Sequence, residues 1–374
     1  MSNIYIHYPF CKQACHYCNF HFSTKKTDGD EMLYLIYKEL KIRANEVKAP
    51  LESIYFGGGT PSIIQPKSIK SFINSVKEQF QFIPEIEITL EANPDDINKD
   101  YLLNLKTSGI NRLSLGIQSF FDKDLKLMNR VHDQRQALKS INLVRNHFDN
   151  YSIDLIYGIP YTTLNNWKNN LDIALDFNPP HISAYALTVE KKTALDFQVK
   201  EKKITLLDEE LVKQQYDVLV EKLEQKGYVN YEFSNFGKPD YFSVNNLNYW
   251  NNKPYLGLGP SSHSFDGVST RSWNVSNNHQ YKRGIESGKL FIEQEKLSKK
   301  DRYNEYLMTA LRKNEGASLT YVGKSFGNTY VTYLEEQVAR HLHERNLFWD
   351  GDFLKISNRA KFLTDGIAAD LFIV

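Results

Sequence analysis

The sequence predicts an α/β chain, a partial (β/α)6 TIM-like barrel followed by a smaller winged-helix-like α+β domain. Three observations predict it. Strand-like and helix-like stretches alternate through the first half, glycine-rich or polar residues follow the candidate strands, and the rhythm changes after about residue 187.

Short β-branched or aromatic runs at 4–8, 53–56, 86–91, 112–116, 152–157 and 181–186 read as strands. Helical patterns at about 31–48, 66–80, 97–108, 133–147 and 164–177 supply the crossovers that parallel strands need. Cys11 to Cys18, Gly57-Gly58-Gly59-Thr60, Glu91-Ala92-Asn93-Pro94 and Gln118-Ser119 each follow a strand, at the carboxyl rim where βα barrels build their sites. Asp154 differs, because strand alternation points it into the barrel, where a buried carboxylate needs a partner. Residues 206–226 read as one long helix, and 228–281 is an aromatic, asparagine-rich segment. The tail shows helices near 299–313, 318–324 and 330–345, a hairpin around Trp349-Asp350-Gly351-Asp352 and a last helix from about 358 to 368, a winged-helix order. The expected division is a barrel with its aromatic extension over 1–290 and a C-terminal helical domain over 291–374.

The 374 residues, 41% hydrophobic and 13% aromatic, are enough for a large core. With 46 basic against 45 acidic residues and a net charge of +1, no global field favours nucleic acid or anionic lipid. No apolar run reaches the ~18 residues of a membrane span, and Met1-Ser2-Asn3 leads directly into a strand without a signal-peptide pattern, so a cytoplasmic location is expected. In the tail, Arg302, Lys313 and Arg345 are offset by Asp350, Asp352, Asp365 and Asp370, unlike a phosphate-binding face, and no nucleic-acid partner is expected.

All three cysteines lie in Cys11-x3-Cys15-x2-Cys18, a spacing that suits ligands on one metal centre rather than disulfides. A cubane iron–sulfur cluster takes four ligands, so three thiolates leave one iron open to the amino and carboxylate groups of S-adenosylmethionine (SAM). The alternative is a structural Cys3His zinc site using His7, His16 or His21. A c-type haem attachment is not indicated, since Cys15-His16-Tyr17-Cys18 is followed by Asn19.

The segment Tyr5 to Cys18 resembles the signature of radical SAM proteins in the oxygen-independent coproporphyrinogen III oxidase-like group. The resemblance continues through Phe56-Gly57-Gly58-Gly59-Thr60-Pro61-Ser62, Leu90-Glu91-Ala92-Asn93-Pro94, Asn111 to Phe120 and Asp154-Leu155-Ile156-Tyr157-Gly158-Ile159-Pro160. It implies a [4Fe–4S] cluster on Cys11, Cys15 and Cys18, and SAM contacts from Tyr5, Gly58, Gly59, Thr60, Glu91, Gln118, Arg130 and Asp154. Each contact residue has an ordinary structural alternative: Tyr5 as strand filling, Arg130 as a cation at a helix C-terminus, Asp154 as partner to a backbone amide.

The oxidases of this group carry a fourth cysteine two residues after the third, where this chain has Phe20, and an N-terminal extension before the cluster. Both departures make the chain resemble the haem-chaperone branch, with a decarboxylating coproporphyrinogen oxidase as the alternative. The implied partners are haem or a porphyrinogen and haem-acceptor proteins; whether the chain is an enzyme, cleaves SAM or forms a homodimer is left open. The branch's His-Asn-x-x-Tyr-Trp haem motif corresponds to Asn245-Asn246-Leu247-Asn248-Tyr249-Trp250. An asparagine amide is a poor ligand for haem iron. His263 and Tyr249 are the nearby candidates to replace it, and Tyr249, Trp250 and Tyr255 could stack on a porphyrin or pack at a domain seam.

Overall fold

A computed structural model describes residues 1–25 and 29–374. Six parallel strands form the barrel: β1 (Asn3–Tyr8), β2 (Leu51–Gly58), β3 (Phe82–Ala92), β4 (Arg112–Gln118), β5 (Tyr151–Tyr157) and β6 (His181–Ala186). They pair in sequence order, each neighbour joined by a helical crossover.

The two faces of these strands differ in chemistry. Ile4, Ile6, Ile54, Phe56, Ile88, Leu90, Leu113, Leu115, Ile153, Leu155 and Ile182 are buried in the main hydrophobic cluster, together with the apolar positions of the helices. The alternate positions are Tyr5 and His7, Ser53 and Tyr55, Glu87 and Glu91, Arg112 and Ser114, Ser152 and Asp154, His181 and Ser183. Because strand side chains alternate with period two, this polar set shares the concave face. A closed barrel would fill that space with branched apolar residues; here it is left for polar groups and cavities.

The segment after residue 187 contains more than the long helix, found at Glu209–Gln225. Helix Ala194–Lys200 precedes it. The aromatic, asparagine-rich stretch then contributes β7 (Val229–Glu232), β8 (Asn235–Gly237), β9 (Tyr255–Leu258), β10 (His263–Phe265), β11 (Thr270–Asn274) and β12 (Ile292–Lys296). Strand β9 pairs parallel to β1, and β8 antiparallel to β6, so the sheet reaches twelve strands in the order β12-β11-β10-β9-β1-β2-β3-β4-β5-β6-β8-β7. These strands are short and broken by Gly and Asn turns, which hides their period from the sequence.

A second hydrophobic cluster begins at Tyr303 and includes Leu307, Leu311, Phe326, Leu334, Val338, Leu347, Leu354 and Ile367. It lies among helices Lys299–Arg312, Leu319–Phe326 and Asn328–His343 and a small sheet of β13 (Ala317–Ser318), β14 (Leu347–Asp350) and β15 (Phe353–Ile356). Helix, short strand, two helices and a hairpin turning at Gly351 give the winged-helix order. The expected final helix is a 3-10 turn, Asn358–Leu363, running into helix Thr364–Asp370. Since Ile292–Lys296 is hydrogen-bonded to β11, the barrel sheet extends beyond residue 290. Among the described residues no helix is long and apolar enough to cross a membrane.

Candidate functional site

The cysteine loop follows β1 and is fastened on three sides. Gly59 and Thr60 donate their N–H groups to the carbonyls of Tyr8 (2.7 Å) and Phe10 (2.8 Å), and Cys11 N–H bonds Ser23 O at 3.1 Å. His16 N–H reaches Met128 O at 3.1 Å, while Leu195 N–H bonds His16 O at 2.8 Å. The Gln13 amide donates to the carbonyl and side-chain oxygens of Asn129, both at 2.9 Å, and Asn129 Nδ2 donates to Ala14 O at 2.7 Å. Lys12 pairs with Asp95 at 2.8 Å and with Asp96.

This loop closes one side of a cavity of 640 Å³, into which Cys11, Cys15, Cys18, Gly58, Gly59, Thr60, Glu91, Gln118, Arg130 and Asp154 all face. The expected contacts therefore meet around the cysteines, except Tyr5. Tyr5 lies on the wall of a second cavity, beside Tyr55.

All three thiols are free. Burial pushes the Cys11 thiol up and that of Cys18 to about 11. The Arg130 guanidinium donates to Cys15 Sγ at 3.4 Å and is held by Asn93 Oδ1 (2.7 Å) and Gly116 O (3.0 Å). Arg130 lies beyond helix Asp122–Leu127, so its work is with the cysteine loop rather than with that helix's C-terminal carbonyls.

The glycines let the cysteine loop pack directly on the end of β2. A Cβ on Gly59 would stand 2.6 Å from Phe10 O and 2.8 Å from Tyr8 O, and Gly58 has φ +100°, where a side chain is strained. Three soft thiolates on one loop, a fixed guanidinium and a glycine wall suit an iron–sulfur cubane with a ligand beside it. The histidines of the zinc alternative do not line this cavity. His7 Nε2 pairs with His21 O at 2.8 Å, His16 Nδ1 with Leu127 O at 2.8 Å, and His21 Nε2 with Asn278 Oδ1 at 2.7 Å.

Gln118 ends β4 with φ 66°, at a register shift between Gly116 and Gln118. A left-handed non-glycine residue costs energy and is kept where the surroundings determine it, as at a bulge that re-aims a side chain. Glu91 accepts a hydrogen bond from Tyr55 OH at 2.9 Å. Burial pushes its carboxyl up to about 7 against that bond, and the nearby Asp154 adds to the rise.

Asp154 is bonded by hydroxyls, not by a backbone amide: Ser114 Oγ at 2.9 Å and Ser152 Oγ at 3.0 Å. Ser152 gives its one proton to Asp154, so it accepts from His181 Nδ1 at 2.8 Å; His181 Nε2 then accepts from Tyr231 OH, also at 2.8 Å, and Tyr231 accepts from Ser243 N–H at 3.3 Å. This directed chain crosses the barrel from the start of helix Val244–Trp250 to the cysteine cavity. Burial, reinforced by Arg112, holds His181 well below the usual imidazole range, so the ring is neutral.

The second cavity, 660 Å³, lies between the barrel and helix Lys299–Arg312. Its walls include Tyr5, Asn245, Tyr249, Trp250, Tyr255, Phe265, Arg271 and Arg312, and it shares Tyr55, Glu91, Tyr185 and Asn246 with the first. Tyr249 and Tyr255 have ring centroids 4.4 Å apart, and the Arg312 guanidinium lies 5.0 Å over Trp250. Thus these aromatics both pack at the domain seam and border a cavity. His263 is exposed on β10, stacked on Trp273, and lines neither cavity. Tyr249 lines the second cavity, but burial raises its phenol well above the usual range, which opposes phenolate ligation. Glu87, Arg112 and His181 are further polar residues of this interior that strand alternation alone marks, whereas Tyr231 lies on the short β7, which carries no readable period.

Residues 5–174 match the radical SAM superfamily, and fold and cysteine loop define a radical SAM protein. Similarity runs further than that domain. The heme chaperone HemW of Bacillus subtilis is 32% identical, with 94% of each chain covered, and that of Mycobacterium tuberculosis is 29% identical over 98% of this chain and 94% of its own. The chain belongs to the HemW family. Among solved structures, the Escherichia coli coproporphyrinogen III oxidase HemN superposes with a TM-score of 0.84, covering 99% of this chain and 89% of that one. At 22% identity it supports the fold, including the C-terminal part. Membership in the radical SAM superfamily implies a [4Fe–4S] cluster and SAM.

Proposed function

We propose that this chain is a haem chaperone on a radical SAM scaffold. It binds haem and passes it to acceptor proteins, with Cys11, Cys15 and Cys18 holding the [4Fe–4S] cluster. Gly58, Gly59, Thr60, Glu91, Gln118, Arg130 and Asp154 take SAM beside it, and Tyr5 contributes from the wall behind Tyr55. When bound, the cluster supplies an iron for the amino-acid end of SAM and a source of one electron.

The observation that carries the reading is the second cavity. A space of 660 Å³ walled by Tyr249, Trp250, Tyr255 and Phe265 suits a flat apolar macrocycle, and Arg271 and Arg312, themselves paired with Glu305 (3.0 Å) and Asp365 (3.3 Å), are the lining cations that carboxylates on it could engage. With Asn245 in the histidine's place, His263 outside and Tyr249 protonated, aromatic stacking would supply most of the hold.

The test is anaerobic reconstitution followed by incubation with haem and desalting. About one haem per chain with a Soret band supports the reading, and its absence from protein with full iron and sulfide overturns it. The oxidase alternative would instead give reductant-dependent 5′-deoxyadenosine together with decarboxylated porphyrinogen. Serine at positions 11, 15 and 18 should abolish iron uptake.

A further inference from the structure

Arg112 opens β4 on the concave face and lines the cysteine cavity. Its side chain is 2% exposed. The nearest carboxylate is Glu87, with Nε 3.7 Å from Oε2, beyond hydrogen-bond length. Glu87 is also committed elsewhere: its oxygens accept the N–H groups of Val244 and Asn245, both at 3.1 Å. Asp154 takes its hydrogen bonds from Ser114 and Ser152. His181 is occupied at both nitrogens.

Among the described residues no group accepts a hydrogen bond from Arg112, and its Nε is buried without a partner. A guanidinium has five N–H donors and does not shed its charge, so this arrangement is costly unless something else enters to receive them. Its planar fork matches a carboxylate in two parallel hydrogen bonds, better than a lysine could.

We infer that Arg112 is the receptor for a carboxylate of the ligand that enters the barrel. The inference rests on the proposed function only in requiring a carboxylate-bearing ligand there. Two sources share that chemistry: a propionate side chain of a tetrapyrrole and the amino-acid carboxylate of SAM.

The test compares two pairs of ligands, haem with its dimethyl ester and SAM with decarboxylated SAM, on reconstituted parent protein and on Arg112→Gln and Arg112→Lys. Iron and sulfide contents check that each variant is intact. In one pair the parent should prefer the free carboxylate by about tenfold or more, and Arg112→Gln should lose that preference while Arg112→Lys keeps part of it. The pair that responds identifies the carboxylate. Unchanged preferences in both pairs for Arg112→Gln overturn the inference; should that variant fail to fold, parent-like preferences in Arg112→Lys overturn it equally. If the parent retains no haem, the haem reading fails by itself and the SAM pair still decides the role of Arg112.

Discussion

Replacing Gly59 with alanine tests whether the glycine run sets the cysteine loop. The new methyl would lie 2.6 Å from Phe10 O and 2.8 Å from Tyr8 O, both backbone atoms that no rotamer change can move. Relief requires the loop and the end of β2 to part by roughly half an ångström or more, an overpacking cost of about 1–3 kcal/mol. That movement strains the bonds from Gly59 N–H to Tyr8 O (2.7 Å) and Thr60 N–H to Phe10 O (2.8 Å). Losing one adds about 1 kcal/mol. The loop that carries Cys11 should therefore be destabilised by about 2–4 kcal/mol. The assay is iron and sulfide per chain after anaerobic reconstitution, with retention followed under a chelator. Gly366→Ala is the control, since nothing lies within 4 Å of its added Cβ. Parent-like retention in Gly59→Ala would refute the reasoning.

Three other outcomes follow from the same geometry. Burial holds the Glu91 carboxyl up at about 7 without ligand; as pH rises through that value the carboxylate gains the capacity to accept both hydroxyls of a ribose, so SAM affinity should rise about fivefold between roughly pH 6 and 7, approach tenfold per unit below that, and flatten above about pH 8. Calorimetry should find Glu91→Gln weaker and flat across that window, and a parent profile without slope counts against the assignment. His181→Phe leaves the Tyr231 hydroxyl without its acceptor and removes a donor from Ser152, which still bonds Asp154, so chemical denaturation should show a loss of about 1–3 kcal/mol, with SAM binding weaker in the folded variant. Unaltered SAM affinity would dissociate the chain from Asp154. Asn245→His places an imidazole on the wall of the second cavity; a shifted Soret band and slower haem loss are expected, and an identical spectrum would remove the haem from that wall.

Much of this was legible because the signals are local. The three cysteines follow β1, and Gly57-Gly58-Gly59 and Glu91 lie at the ends of β2 and β3; a parallel barrel gathers strand ends at one rim. Asp154 was legible because a carboxylate amid Ile153, Leu155 and Ile156 breaks an apolar run. The same alternation also puts Glu87, Arg112 and His181 inside, but Arg112 and His181 open their strands and Glu87 sits in the middle of β3, away from the strand ends where attention falls. Strands β7 to β12 stayed hidden because short segments such as Asn235–Gly237 acquire strand character only through partners distant in sequence. His263 is near the Asn245 motif in sequence, yet β10 leaves it exposed and stacked on Trp273, a matter of register that composition does not reveal.

The two cavities are not independent. Tyr55, Glu91, Tyr185 and Asn246 belong to both, and the hydrogen-bond chain from Ser243 through Tyr231, His181 and Ser152 ends on Asp154 in the first while starting at the helix that borders the second. A ligand that fixes helix Val244–Trp250 therefore also fixes the far end of the chain that orients Asp154. Coupling of this kind is reciprocal in binding free energy, so any factor by which haem alters SAM affinity must be the factor by which SAM alters haem affinity. His181→Phe interrupts the chain while leaving the wall residues in place, and should lower that common factor toward one from both directions. A factor that survives unchanged would assign the coupling to the shared wall, with Tyr55 and Glu91 as its next point of test.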